Sequence, residues 1–326
     1  GLIRWNHPEK GLVPPFEFLP LIEQFGLMDK LSQFIIKDGI NYLQTINHNR
    51  TNKIGISLNI QGNSLLHEGF VNHLISSLAN NTALSPNQLT LEILESSSLE
   101  RVEKIAHQIR RLRAKGFKFS IDDFGTGHAS LTYLKNLPVN EVKIDQEFIR
   151  EIFNEPNSLS IIEAIKSMAE AFNISVIAEG VETEQHIELL LQLGIEAMQG
   201  YAIAKPMNRT QTDLWIKDWK VNPAWSNLME IAPEKKGFLK ARLAHTAWLN
   251  RLTKALNKGT NQLDAYEFSS KNCEFGLWLQ VEGKKMLDLD TYQQADKLHQ
   301  EIHRLAYDAV ESSALEITQD AKKWLN

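Results

Sequence analysis

The chain has 326 residues, of which 43% are apolar and 23% charged, and its formal net charge is −5. That length accommodates one large domain and a smaller one. The acidic balance argues against a nucleic-acid duplex as partner, no stretch has the apolar length of a membrane span, and no signal-peptide pattern opens the sequence. The single cysteine, Cys273, allows no disulfide within the chain and agrees with a reducing cytoplasm, which leaves room for a membrane anchor upstream.

Gly1–Trp5 (GLIRW) reads as the end of a strand already under way, so the first elements of the fold are expected upstream of Gly1. From there to about residue 220, short apolar runs alternate with helical pattern. The strand-like runs are Ile54–Leu58, Leu89–Leu91, Lys118–Ile121, Val142–Ile144, Ser175–Ala178 and Ala197–Met198. Between them lie predicted helices over Pro15–Phe25, Lys30–Ile46, Gly69–Ala79, Leu99–Lys115, Ser158–Phe172 and Thr183–Leu193. This alternation predicts parallel βα units, which an open doubly wound sheet and a (β/α)8 barrel both satisfy.

The polar residues at the strand ends favour the barrel. Asn59 follows the first run, Glu92 the second, and Asp122 with Asp123 the third; Lys143 sits in the fourth, Glu179 ends the fifth and Gln199 the sixth. A barrel gathers all carboxyl ends at one mouth, whereas an open sheet spreads them along a line. Within Phe117–Leu134, the adjacent carboxylates Asp122 and Asp123 repel each other unless a cation lies between them. A solvated turn over Phe124–Gly127 accounts for the same residues, so that stretch alone leaves both readings open. There is no G-x-G-x-x-G and no Walker loop.

Taken together, Asn59, Glu92, Asp122, Asp123 and Glu179 are oxygen donors without His or Cys, which suits Mg²⁺ or Mn²⁺ rather than zinc. That many acids predicts two ions, the arrangement for in-line attack on a phosphodiester. Lys143 is placed to order or deprotonate a water, and Arg4 and Gln199 to reach substrate. Singly, each has a structural explanation, such as Lys143 pairing with Asp145.

The motifs LIRW (Leu2–Trp5), HPEKGLVPP (His7–Pro15), LN (Leu58, Asn59), LEILE (Leu91–Glu95), DDFGTG (Asp122–Gly127), VKID (Val142–Asp145), IAEGVET (Ile177–Thr183) and QGYAIAKPM (Gln199–Met207) resemble the EAL family of cyclic-di-GMP phosphodiesterases, in family order. The resemblance implies a (β/α)8-type, TIM-like barrel that hydrolyses cyclic di-GMP to the linear dinucleotide pGpG. It implies metal ligands at Asn59, Glu92, Asp122, Asp123 and Glu179, and a water-orienting Lys143. It also implies support from Glu182 and Gln199 and a phosphate contact from Arg4. By the same resemblance, Glu95 anchors the loop after the Asp pair, a loop associated with dimerisation. The sequence departs from the family twice: Leu94 replaces the usual threonine, and the name-giving glutamate, itself a metal ligand, would fall immediately before Gly1.

Barrel patterning fades after Met207. Thr210–Trp219 is the last amphipathic helix of residues 1–220, Asn222-Pro223-Ala224 breaks it, and residues 221–236 read as a linker. Residues 237–326 predict a small all-α bundle, with helices over 237–256, 293–310 and 312–325. His245, Cys273, His299 and His303 form an N/S set that suits tetrahedral Zn²⁺, His299 and His303 sharing one helix face. AHTAW (Ala244–Trp248), CEFGLWL (Cys273–Leu279) and HQEIHRLA (His299–Ala306) resemble the chemoreceptor zinc-binding (CZB) domain, whose three-His, one-Cys site falls on those four residues. That resemblance implies a cytoplasmic zinc sensor of bacterial signalling, with a thiolate open to redox chemistry. The expected function is therefore a metal-dependent phosphodiesterase, paired as a homodimer and tuned by zinc. The rival expectation is a non-catalytic cyclic-di-GMP receptor carrying a zinc-binding dimerisation domain.

Overall fold

A computed structural model describes residues 1–79, 81, 83–94, 99–125, 131–258 and 268–324. The chain divides into two compact units. The first comprises residues 1–146, 164–191 and 195–228, and the second comprises 147–163, 192–194 and 229–326.

In the first unit, Gly1 N donates to Ser57 O, and a hairpin follows. β1 (Trp5–His7) pairs antiparallel with β2 (Gly11–Val13), and residues 1–4 join no ladder. The reversal is local chemistry: His7 Nδ1 accepts from the amides of Glu9 at 3.1 Å and Lys10 at 3.2 Å, and Gly11 adopts φ 70°. That left-handed conformation suits a residue without Cβ. Helix α1 (Pro15–Gln24) starts on Pro15, whose fixed φ is pre-set for a first helical position. Gly26, at φ 64°, turns the chain into α2 (Met28–Asn47), which buries Ile36, Ile40 and Leu43 at helical spacing.

The sheet has strand order β3 (Ile56–Ile60), β4 (Leu89–Leu94), β5 (Lys118–Phe124), β6 (Glu141–Ile144), β7 (Ser175–Ala178), β8 (Ala197–Met198), all parallel and each beside its sequence neighbour. Six consecutive parallel strands with helices around them form a curled part-barrel of the TIM-like type. α3 (Glu68–Ala79), α4 (Leu99–Arg113), α5 (Leu131–Asn136), α7 (Pro156–Ala171) and α8 (Glu184–Gln192) fall between or after the strands. α4 buries Val102, Ile105, Ala106, Ile109 and Leu112, the stripe that a core-facing helix requires.

In the central strands β4, β5 and β6 both faces are buried, as is usual in parallel sheets. One face carries Leu89, Leu91, Phe119, Ile121, Val142 and Ile144, each fully buried and apolar. The alternate positions carry Thr90, Glu92, Ser120, Asp122 and Lys143, also buried but polar. The ladder keeps these in phase, with Asn59 opposite Glu92, Glu92 opposite Ser120, and Ser120 opposite Glu141. α9 (Arg209–Asp218) closes the unit behind a capping box in which Asn208 Oδ1 accepts from Gln211 N at 3.0 Å.

The second unit contains the turn after α6 (Gln146–Glu151), the first part of α7, and three bundle elements. These are α10 (Lys236–Lys258), the short α11 (Glu274–Trp278) with its π-turn continuation Leu279–Gly283 and α12 (Lys284–Met286), and α13 (Leu289–Trp324). The two helices expected over 293–310 and 312–325 are one. Ser312 Oγ donates to Asp308 O at 2.8 Å, so the serine is satisfied within the helix and does not cap a new one. Among the described residues, two small cores hold the bundle: Ala241 with Trp278 and Leu279, and Trp248 with Leu252 and Ala306.

Candidate active site and metal centre

The inner face of the sheet brings its acids to one cation. Lys143, on β6, is 3% exposed. Its Nζ lies 3.1 Å from Glu92 Oε1 on β4 and 2.8 Å from Asp122 Oδ1 on β5, and it also pairs with Glu179 just past β7. Burial by itself would lower the lysine's pKa, but the three carboxylates override it and hold the ammonium well above its ordinary range.

Adjacent residues of a strand point to opposite faces, so Asp122 and Asp123 should not share a site. They do because β5 is irregular there. Its register against β6 shifts between Ile121 and Phe124, and Asp123 takes φ 52°, a left-handed conformation uncommon for a non-glycine residue. Asp122, Asp123 and Glu179 can consequently each bring a carboxylate oxygen within 4.8 Å of the others. One ammonium does not neutralise this group. Burial, Asp122 and a shared hydrogen bond with Asp145 push Asp123 up to about 6. Burial pushes Glu179 up to about 7 despite the opposing pull of Lys143. Buried, under-neutralised oxygen donors fit a divalent cation of the Mg²⁺ or Mn²⁺ kind.

The remaining expected residues are placed less tightly. Asn59 is exposed on β3, in register with Glu92. Gln199 is exposed just past β8, and its backbone bonds Ala178 O at 2.8 Å and Val181 N at 3.1 Å. Arg4 is half-buried with its guanidinium 2.7 Å from Ile3 O, and Glu182 is exposed. Glu95 and residues 126–130 of the loop after the Asp pair lie outside the described residues. Asp145 is absent from the expected set and entered only as the partner that a purely structural explanation would give Lys143. It is 8% exposed and shares its hydrogen bond with Asp123, while the ion pairs of Lys143 run to Glu92, Asp122 and Glu179. The available signal was its position immediately after β6, at the carboxyl end of a strand like the other acids.

In the bundle, α10 supplies His245, α13 supplies His299 and His303 one turn apart, and Cys273 caps α11. One ligand atom from each of the four lies within 4.8 Å of the rest. Cys273 Sγ accepts from Gly276 N at 3.3 Å and sits 3.1 Å from His299 Nε2. Burial raises the thiol's pKa. His245 and His303 are lowered to about 4, first by burial and then by the neighbouring imidazoles, so both are neutral at pH 7. Trp248 stacks on His303 at 4.2 Å. His245 Nε2, His299 Nδ1 and both ring nitrogens of His303 are buried without a hydrogen-bond partner. Each such atom costs roughly 1–3 kcal/mol unless something coordinates it. Three imidazoles and a thiol so arranged fit a tetrahedral Zn²⁺.

A parallel part-barrel with an acidic site at the carboxyl ends of its strands is the (β/α)8-type enzyme architecture. Residues 1–206 match the family model of the EAL domain, and residues 245–310 match that of the chemoreceptor zinc-binding domain. The chain therefore belongs to the EAL domain family. It is 35% identical over 211 residues to the bifunctional diguanylate cyclase/cyclic di-GMP phosphodiesterase MucR of Pseudomonas aeruginosa, across 65% of this chain and 31% of that protein. It is 34% identical over 218 residues to the cyclic di-GMP phosphodiesterase PdeR of Escherichia coli, across 67% of this chain and 32% of that one. The chain thus spans about a third of the length of these curated relatives. Among solved structures it is similar to the PaMucR phosphodiesterase in complex with c-di-GMP, with TM-score 0.61 and 34% identity over 65% of this chain and 85% of that one. It is also similar to the EAL enzyme Bd1971 bound to cAMP and cyclic-di-GMP, with TM-score 0.60 and 31% identity over 66% and 59% of the two chains.

Proposed function

We propose that this chain hydrolyses cyclic di-GMP to pGpG, that it does so as a cytoplasmic homodimer, and that zinc in its bundle regulates the reaction. Residues 1–220 would be the catalytic part, 221–236 the linker and 237–326 the sensor. The observation that carries the reading is Lys143, gripped by carboxylates from three neighbouring strands with Asp123 alongside.

Hydrolysis adds water across one phosphodiester: a bond forms from the water oxygen to phosphorus, the bond to the 3′ oxygen breaks, and the proton passes to that oxygen. Divalent ions held by Asn59, Glu92, Asp122, Asp123 and Glu179 would supply Lewis-acid stabilisation of the phosphoryl charge. Lys143, with its raised pKa, stays protonated at neutral pH and acts as a hydrogen-bond donor that orients the water, not as its base. The proton that the water gives up then needs an acceptor among the carboxylates of the site. Arg4 and Gln199 would contact the substrate, with Glu182 and Glu95 in support.

The test is incubation of the chain with cyclic di-GMP and Mg²⁺ or Mn²⁺, with the products separated by chromatography. The expected result is pGpG formation that a metal chelator abolishes. Tight binding without product would leave a receptor and overturn the catalytic reading. Turnover that is the same with and without Zn²⁺ would overturn the regulatory one.

A further inference from the structure

Helix α10 has two buried stripes on opposite sides. At about 100° per residue, Ala241, His245, Trp248 and Leu252 fall together, and this is the side of the candidate zinc ligands and of both bundle cores. Leu239, Leu243 and Ala247 are also buried, at 2%, 4% and 0% exposure, and they fall about half a turn away. A helix buried on two sides is sandwiched, so this second stripe has a role besides closing the bundle.

The polar residues flanking the second stripe identify what it holds. Lys240 Nζ pairs with Glu163 Oε2 at 2.7 Å. Asn250 Nδ2 donates to Phe153 O at 3.2 Å and to Asn154 Oδ1 at 3.3 Å. Glu163 is on α7, and Phe153 and Asn154 are in the α6–α7 turn, within the same compact unit. His245 lies five residues after Lys240 and five before Asn250, so the zinc-facing residue is bracketed by the two grips. α6 itself begins at Gln146, three residues beyond Lys143 on β6.

We propose that α10 is the transmitting element of the protein: ordering of the His245 face is conveyed through the Lys240–Glu163 and Asn250–Phe153 contacts to the α6–α7 turn, and along the chain to the strand end that bears Lys143. This rests on the reading of the bundle as a zinc centre. It places the regulatory path in the α6–α7 turn and not in the linker 221–236. The Asn250 contacts are exposed and Lys240 is half in solvent, so both grips are individually weak. They therefore set the register of a buried apolar stripe, and removing them leaves the helix folded.

Amide hydrogen exchange on the whole chain, stripped with a chelator or loaded with one equivalent of Zn²⁺, reads residues 147–163 and 236–258 separately. Loading is expected to slow exchange in both segments of the parent protein, by roughly threefold or more in 147–163. In Lys240→Ala/Asn250→Ala, loading should still slow 236–258 and leave 147–163 unchanged. Lys240→Glu should uncouple the segments, and Lys240→Glu with Glu163→Lys should restore the response. Protection confined to 236–258 in the parent protein, or a charge swap that restores nothing, overturns the proposal. So does the absence of protection in 236–258, because the bundle then binds no zinc. The phosphodiesterase reading fails separately, by lack of pGpG while the exchange coupling persists.

Discussion

Lys143 Nζ lies 2.8 Å from Asp122 Oδ1, a contact between neighbouring parallel strands in which both side chains are almost wholly withdrawn from solvent. Removing one partner of such a pair leaves an uncompensated buried charge and costs about 3–5 kcal/mol. Lys143→Ala is therefore expected to lower the stability of the chelator-treated protein by that order, with a compensating gain when Mn²⁺ is added. Denaturant titrations with and without Mn²⁺ check this. Hydrolysis should fall by about a hundredfold or more, the range lost with a positioned hydrogen-bond donor.

Divalent-ion affinity should depend on pH. Asp123 is pushed up to about 6 and Glu179 to about 7, so near neutrality part of each population carries a proton that an incoming cation must displace. Affinity for Mn²⁺ should rise from pH 6 to about pH 8, with proton release on binding. Calorimetric titrations in buffers of different ionisation enthalpy measure both quantities. Equal affinity and no proton release at the two pH values would remove this account of the site.

Purified chain should contain one zinc, and Cys273→Ala or His303→Ala should lose it. Without zinc, His245 and His303 titrate near 4 in the folded bundle, against about 6.5 in the unfolded chain. As pH falls through 6.5 the unfolded state takes up protons first, so stability is full above 6.5 and declines progressively until about 4. Asp123 and Glu179, raised in the folded chain, act in the opposite sense over the same window, so the test is the difference between the chelator-treated parent and a His245→Phe/His303→Phe variant in melting at pH 7.5 and 5. The parent should lose more stability at pH 5 than the variant, and an equal or smaller loss would contradict this account.

Gly276→Ala should weaken zinc binding without touching a ligand. A Cβ there would lie 1.8 Å from Ser270 O and 3.2 Å from His299 Cε1, and the first of these is rigid backbone. The turn holding Cys273 would have to shift, because Gly276 N is also a donor to Cys273 Sγ. Zinc competition with a chromophoric chelator should show a loss of roughly tenfold or more, the effect typical of groups that support metal ligands. Unchanged affinity would mean that the turn relaxes freely.

Periodicity located the six parallel strands and most helices because the central strands β4 to β6 bury both faces and helices such as α2 and α4 bury one side, and burial writes directly into residue order. It misjudged the long last helix. There a single side chain decides the matter: Ser312 bonds within its own helix. The four candidate zinc ligands were legible because two of them share a helix face, and the structure brings all four together.

The sequence by itself determined the alternation of βα units and the placement of a polar residue at each strand end, since both follow from local pattern. Only the tertiary structure decided that Asp122 and Asp123 face the same way. That depends on a register shift against β6 and a left-handed Asp123, which strand pattern alone would have forbidden. It also decided that Lys143 belongs to Glu92, Asp122 and Glu179 while Asp145 turns to Asp123. Partner choice among buried charges is set by distances between strands, and those distances exist only once the sheet has formed.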